Sequence, residues 1–179
     1  MDGAVLLRDF GKLFRMYKTL AEKAMAQVPT DAAFGTILDA ESNSIAIIVQ
    51  HIAGNLRSRY RDLLTTDGEK PDRDRDGEFE IHEPVTRERV LTLWNEGWAV
   101  ALATLDSLTP DDLEKTITIR GEAFLVVEAL NRSITHTAYH VGQIVFLARH
   151  LAPNWTSLSI PKGKSAEFSK GNFKGYVKT

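Results

Sequence analysis

Residues 125–151 constrain the fold of this chain more than any other part of the sequence. Their apolar side chains recur every three or four positions, which is the spacing of one face of an α-helix. No proline interrupts the pattern until Pro153, which is unable to continue a helix. We therefore predict that this stretch is the last long helix of a helical bundle.

Three further stretches show the same repeat. They cover about residues 3–27, 42–64 and 87–108, and Thr86 is suited to cap the third of them. Between the third and fourth stretches, residues 115–124 alternate threonine and isoleucine, which predicts a short strand or an extended connection. The predicted fold class is all-α, a four-helix bundle.

Two other segments have no helical repeat. Residues 65–85, called the charged loop below, carry four glycines and prolines among dense mixed charge, so we expect a solvated loop. Its acidic residues lack the spacing of an EF-hand calcium loop, and His82 within it is expected on the surface. Residues 153–179 form an extended C-terminal tail whose aromatic residues are expected to pack on the bundle or on a second copy of the chain. The predicted domain is residues 1–152.

Composition excludes several classes of function. With 179 residues, 43% hydrophobic and 26% charged, the chain matches one soluble globular domain. The net charge of −2 gives no sign of the basic surface that binds nucleic acid. The absence of cysteine excludes a disulfide scaffold and a thiolate metal site. No apolar run approaches the ~20 residues of a membrane helix, and no signal peptide is evident. We expect a cytoplasmic protein that binds neither nucleic acid nor membrane.

Among the glycines inside predicted helices, where each costs up to ~1 kcal/mol relative to alanine, two suggest a close contact. Gly97 stands between Trp94 and Trp98, which are expected to be packing residues, and it predicts a close approach of another helix. Gly142 in the last helix predicts a tight contact with a partner helix or a ligand.

Three of the histidines are candidate metal ligands. His136 and His140 are four residues apart, so they share one helical face, and His51 lies in the apolar stripe of the second helix. Imidazole is a good ligand for zinc, nickel, copper or ferrous iron. Three protein ligands would leave one position open for water or substrate, as in catalytic sites. Three histidines hydrogen-bonded in the core remain the alternative. Asn55, one turn after His51, would orient a ligand or make a core hydrogen bond.

Rival metal motifs are absent. Thr137 rather than glutamate follows His136, so the metalloprotease motif is missing. There are no paired Glu-x-x-His helices of the di-iron type. His150, near the helix end, is expected to be exposed and not a ligand.

The strings VQHIAGNLRSR (residues 49–59) and THTAYHVGQI (residues 135–144) resemble the DinB superfamily, which includes YfiT-like proteins and bacterial low-molecular-weight thiol transferases. The tail string SIPKGKSAEFSKG resembles a branch of that superfamily without an assigned function. The resemblance implies a DinB-type four-helix bundle with a long crossover. It also implies that His51, His136 and His140 bind a divalent metal ion and that the chain forms homodimers. It assigns no catalytic role to Gln143.

The resemblance implies a metal-dependent enzyme that activates a small-molecule thiol for transfer to an electrophile. Zinc or nickel is the expected ion, with iron and manganese as further candidates. Two alternatives stay open. One is a hydrolase that uses metal-bound water, and the other is a metal-binding structural or stress-response protein without catalysis.

Overall fold

The computed structural model describes residues 2–168 and is mostly helical, as predicted. The long helices lie where the four helical repeats were predicted. The helices are α1 (Gly3–Met25), α2 (Asp31–Phe34), α3 (Ile45–Tyr60), α4 (Arg87–Ser107), α5 (Val126–Leu151) and α6 (Ser165–Phe168). Single 3-10 turns cover Gly77–Phe79 and Pro110–Glu114, and two short strands are β1 (Thr116–Ile119) and β2 (Glu122–Leu125).

Side chains satisfy the first free N–H groups of three long helices. Asp2, Ser44 and Thr86 each accept a hydrogen bond from a backbone N–H two or three residues later, at the starts of α1, α3 and α4. At its other end, α3 stops at Tyr60 and not near residue 64 as predicted. The reason is local, because the backbone of Arg61 is extended and Asp62 adopts a positive φ of 50°.

The long helices pack around one core. α3 packs mainly against α4, and α1 mainly against α5. Trp94 and Trp98 are fully buried, which confirms their predicted packing role. Gly97 lies at the α3–α4 contact, where an added Cβ would come 2.7 Å from the Cα of Ala53. The close approach predicted at Gly97 is therefore confirmed.

Within the part of the chain that the structure describes, no helix meets Gly142, and a contact with a ligand or a second copy of the chain stays a prediction. Gly142 is exposed on α5, and an added Cβ would meet no atom within 4 Å. A helical glycine costs stability wherever it lies, so its presence alone does not distinguish a packed position from an exposed one.

The alternating residues before α5 form a strand, and a second strand that the pattern did not predict pairs with it. β1 and β2 are antiparallel, and Arg120 and Gly121 form the turn with φ values of 57° and 76°. Such mirror-image turns match the twist of a hairpin. The Asp67 carboxylate accepts hydrogen bonds from both turn N–H groups, at 2.9 and 2.8 Å. The charged loop thereby holds the hairpin tip.

The prediction that the charged loop is wholly solvated is wrong. Lys70 and Glu78 are buried, and the side chain of Arg73 is only 4% exposed. Burial of Arg73 and Glu78 is tolerated because they are paired with each other and, through Glu78, with His51 on α3, whereas the Lys70 ammonium donates to the backbone carbonyl of Asp67. His82 lies on the surface as predicted, with 69% of its side chain exposed.

The described part of the tail runs along the core. Trp155 and Leu158 pack against core residues, and Gln27, just after α1, exchanges two hydrogen bonds with the backbone of Thr156. The side chain of Phe168 and the tail residues Phe173 and Tyr176, also predicted to pack, lie outside the described residues. The division of the chain at residue 152 stays a prediction. Across residues 2–168, no helix is both long and apolar enough to cross a membrane.

Gly97 and Gly142 permit a matched test of the α3–α4 contact. We expect Gly97→Ala to lower the free energy of unfolding by about 1–3 kcal/mol, because the new methyl group overlaps the backbone of Ala53. Gly142→Ala makes the same change in open space and should leave stability unchanged or raise it by up to ~1 kcal/mol. Urea unfolding followed by circular dichroism measures both. Equal effects in the two variants would contradict the close contact.

Candidate metal centre

Three histidines meet between α3 and α5 and are called the histidine cluster below. His51 is buried on α3, whereas His136 and His140 are half-buried on α5. The Nε2 atom of His136 lies 3.2 Å from the Nε2 of His51 and 3.2 Å from the Nε2 of His140. The structure therefore brings together the three histidines that the sequence singled out.

The spacing of these nitrogens fits a bound metal ion. Zinc–nitrogen bonds of 2.0–2.1 Å at tetrahedral angles place two ligand nitrogens about 3.3–3.4 Å apart. The observed 3.2 Å separations are close to this value, and ligand atoms of all three residues lie within 4.8 Å of one another. Three imidazoles that turn the same nitrogen toward one point could hold a divalent ion.

The ring of His51 is oriented from behind by the charged loop. Its Nδ1 lies 2.9 Å from Glu78 Oε2, and because a carboxylate only accepts, Nδ1–H is the donor. The lone pair is then on Nε2, which faces the cluster. A carboxylate behind a ligating histidine fixes its tautomer and increases its basicity as a ligand.

Arg73 holds Glu78 in place. Its Nε and one terminal nitrogen donate to the two carboxylate oxygens at 2.7 and 2.8 Å, which is a bidentate pair. Burial alone would raise the pKa of Glu78, but Arg73 and His51 outweigh it and hold that pKa below its usual range. Glu78 is thus an ionised acceptor for His51.

Gly54 makes room for this arrangement. A Cβ at this position on α3 would overlap Oε1 of Glu78. The absence of a side chain one turn after His51 lets the carboxylate lie directly against the helix.

The ring of His140 has a different support. Its Nδ1 lies 2.7 Å from Oε1 of Gln143, whose Nε2 donates to the hydroxyl of Tyr139 at 3.2 Å. With its NH₂ group committed to Tyr139, Gln143 offers its carbonyl oxygen to His140 Nδ1–H. The lone pair of His140 is then also on Nε2. Gln143 is therefore a positioning residue for His140, a role that the sequence had not assigned to it.

Burial favours the neutral form of the two rings on α5. Burial lowers the pKa of His136 to about 3, with contributions from the nearby charges of His140, His51, Arg73 and Arg59. Burial also lowers the pKa of His140, against the opposing hydrogen bond to Gln143. Neutral imidazole is the form that binds metal, so burial favours the metal-binding form of His136 and His140.

Beside the cluster lies a cavity of about 470 Å³. The histidines form part of its wall, together with Asn55, Phe79 and Tyr139. Asn55 thus faces the cavity, although its predicted role in orienting a ligand stays a prediction. His82 and His150 lie outside the cluster.

The sequence did not identify Glu78 and Arg73, because they lie in a stretch whose mixed charge indicated solvent. One signal was available. Gly54 follows His51 by three residues on the same face of α3, and a glycine there indicates that another group approaches the helix next to the histidine.

Comparison with known proteins gives one match. The model of a family described as "Protein of unknown function (DUF1572)" covers residues 3–164. No curated protein and no solved structure matches significantly.

The buried pair of Glu78 and Arg73 can be tested without metal. We expect Glu78→Ala to lower the free energy of unfolding by about 3–5 kcal/mol, because it leaves a buried guanidinium without its bidentate partner. Glu80→Ala removes an exposed carboxylate from the same loop and should change it by less than about 0.5 kcal/mol. Urea unfolding in the presence of a chelator measures both. Equal midpoints for Glu78→Ala and the unaltered protein would refute the buried pair.

Proposed function

We propose that this chain, which belongs to the DUF1572 family of proteins of unknown function, is a divalent-metal-dependent enzyme. One observation carries the proposal. Three Nε2 atoms converge at ligand spacing, two of their rings are held from behind by Glu78 and Gln143, and the cluster borders a cavity. A purely structural ion needs four protein ligands more often than three and needs no cavity.

His51, His136 and His140 would hold the ion. An all-imidazole set suits zinc or nickel, with iron or manganese as further candidates. When bound, such an ion would lower the pKa of a thiol or a water molecule and so make a nucleophile available near neutral pH.

The other residues of the site orient the histidines and enclose the cavity. Glu78 and Gln143 keep the Nε2 lone pairs of His51 and His140 turned inward, and Arg73 keeps Glu78 ionised. Apolar parts of the cavity wall, such as Leu63 and Ile119, reduce the access of water and strengthen electrostatic interactions within the cavity.

The reaction that we propose is transfer of a low-molecular-weight thiol to an electrophile. Support comes from the resemblance of residues 49–59 and 135–144 to the DinB superfamily. The mostly helical fold and the histidine cluster are compatible with a DinB-type four-helix bundle. A hydrolase and a metal-stabilised structural protein are the competing functions that the experiments below separate.

Metal content tests the ligand set. Protein purified without added metal or chelator should contain about one divalent ion per chain by elemental analysis. His51→Ala, His136→Ala and His140→Ala should each lose it, because two imidazoles bind far more weakly than three. His150→Ala, which alters an exposed histidine on the same helix as two of the ligands, should keep it. Loss of the ion from His150→Ala, or no uptake after reconstitution, would refute the site.

Activity assays separate the candidate reactions. The metal-loaded protein should accelerate the reaction of glutathione, bacillithiol or mycothiol with chlorodinitrobenzene. In that reaction a C–S bond forms, a C–Cl bond breaks, and chloride and the thiol proton are released. His136→Ala should abolish the acceleration. Turnover of a nitrophenyl ester without any thiol would instead indicate a hydrolase. Stabilisation by metal without any turnover would indicate a structural role.

A homodimer is also part of the proposal. α5 leaves Tyr139 and Phe146 63% and 68% exposed, which is unusual for large aromatic side chains and is compatible with a covered face. Light scattering after gel filtration should give a mass of about 40 kDa, twice that of the 20.0 kDa chain. A monomer mass at every protein concentration would contradict it.

A further inference from the structure

Arginines dominate one side of the cavity beside the histidine cluster. Five of them line it and are called the arginine wall below: Arg59, Arg73, Arg75, Arg120 and Arg132. Among the described residues that line this cavity, none is aspartate or glutamate. A concave site lined by one sign of charge concentrates ligands of the opposite sign.

A single carboxylate outside the cavity serves three of these arginines. Arg59 and Arg120 both donate to Oε2 of Glu69 at 2.9 Å, and Arg73 lies 3.4 Å from Oε1. Arg73 is also paired with Glu78. Two carboxylates therefore share three guanidinium groups, and one of these two also accepts from His51. The arginine wall keeps an excess of positive charge.

The remaining two arginines are the least neutralised. Arg132 lies on α5 one turn before His136, and its guanidinium is 5.8 Å from the ring centre of Phe124. Within residues 2–168 the structure records no ion pair for Arg132. Arg75 lies 3.7 Å from Asp76, but that pair is exposed and therefore weak.

The excess charge is unfavourable in the protein alone. Burial lowers the pKa of Arg59, with contributions from the charges of Arg73 and Arg120, even though Glu69 acts in the opposite direction. An anion in the cavity would offset this repulsion. Guanidinium groups bind planar carboxylates and phosphates through paired, charge-assisted hydrogen bonds.

We infer that the cavity binds a small anionic molecule through its carboxylate or phosphate group, with Arg75 and Arg132, the least neutralised members of the arginine wall, as the main contacts beside the histidine cluster. The inference rests on the proposed function in treating this molecule as the substrate. The cavity of about 470 Å³ matches a small molecule. With a net charge of −2, the chain has no broad basic face of the kind that nucleic acid requires.

Binding is tested on metal-free protein, so that failure of the metal proposal cannot mask it. Succinate and inorganic phosphate are titrated separately, with succinamide as the uncharged analogue of succinate. Backbone ¹H–¹⁵N shifts report where each probe binds. We expect saturable shifts at Arg75, Ile119 and Ser133 with at least one anion, and none with succinamide. The anion that binds more tightly identifies the preferred group.

Variants assign the contacts. Arg132→Gln should weaken binding about tenfold, which is the loss expected for a hydrogen bond between charged groups. Arg75→Gln should have a similar effect, whereas Arg149→Gln, an exposed arginine on α5 outside the cavity, should have none. Arg75 and Arg132 are exposed, so the variants should fold, and their dispersed amide spectra would verify it.

The outcomes are distinct for the two proposals. Shifts that grow linearly without saturation, or equal weakening in Arg132→Gln and Arg149→Gln, would overturn the anion site. Saturable anion binding in a protein that takes up no metal would overturn the proposed enzyme and leave the anion site standing. Metal uptake without anion binding would overturn the anion site and leave the proposed enzyme standing.

Discussion

The carboxylate of Glu78 lies between the imidazole of His51 and the guanidinium of Arg73, and the candidate site depends on it. A buried carboxylate is unfavourable unless it is paired and hydrogen-bonded, and here both oxygens have partners. The same contacts attach the charged loop to α3 and set the tautomer of His51. Packing and ligand chemistry are therefore coupled at one residue.

Two adjacent positions allow α3 to be approached from two directions. At Ala53 the helix meets Gly97 of α4, and at Gly54 it meets the side chain of Glu78. Each approach requires that one partner lacks a side chain at the contact. α3 is thus contacted by α4 at Ala53 and by the charged loop at Gly54, and His51, less than one turn before these contacts, is buried.

Charge in the loop has an architectural role as well as an electrostatic one. Asp67 binds the hairpin turn, and Glu69 joins Arg59 of α3 to Arg120 of the hairpin. These acidic groups lie outside the cavity, whereas the arginines that they contact line it. An anionic partner would complete a network in which the protein supplies more guanidinium groups than carboxylates.

The sequence by itself determined the features that depend on neighbours along the chain. Apolar periodicity located the four long helices, and the four-residue spacing of His136 and His140 placed both on one face, because helix geometry alone decides this. That His51 joins them, that Glu78 is buried behind it and that β2 pairs with β1 were decided by the tertiary structure. Glu78 is 27 residues from His51 along the chain. Its charge predicts a solvent-exposed side chain unless its contacts with Arg73 and Gly54 are known. Gly142 shows the same limit, since its cost to the helix is local but its exposure depends on what the fold places opposite. Helical periodicity depends only on the spacing of residues along the chain, whereas the pairing of buried charges depends on distances that only the folded chain defines.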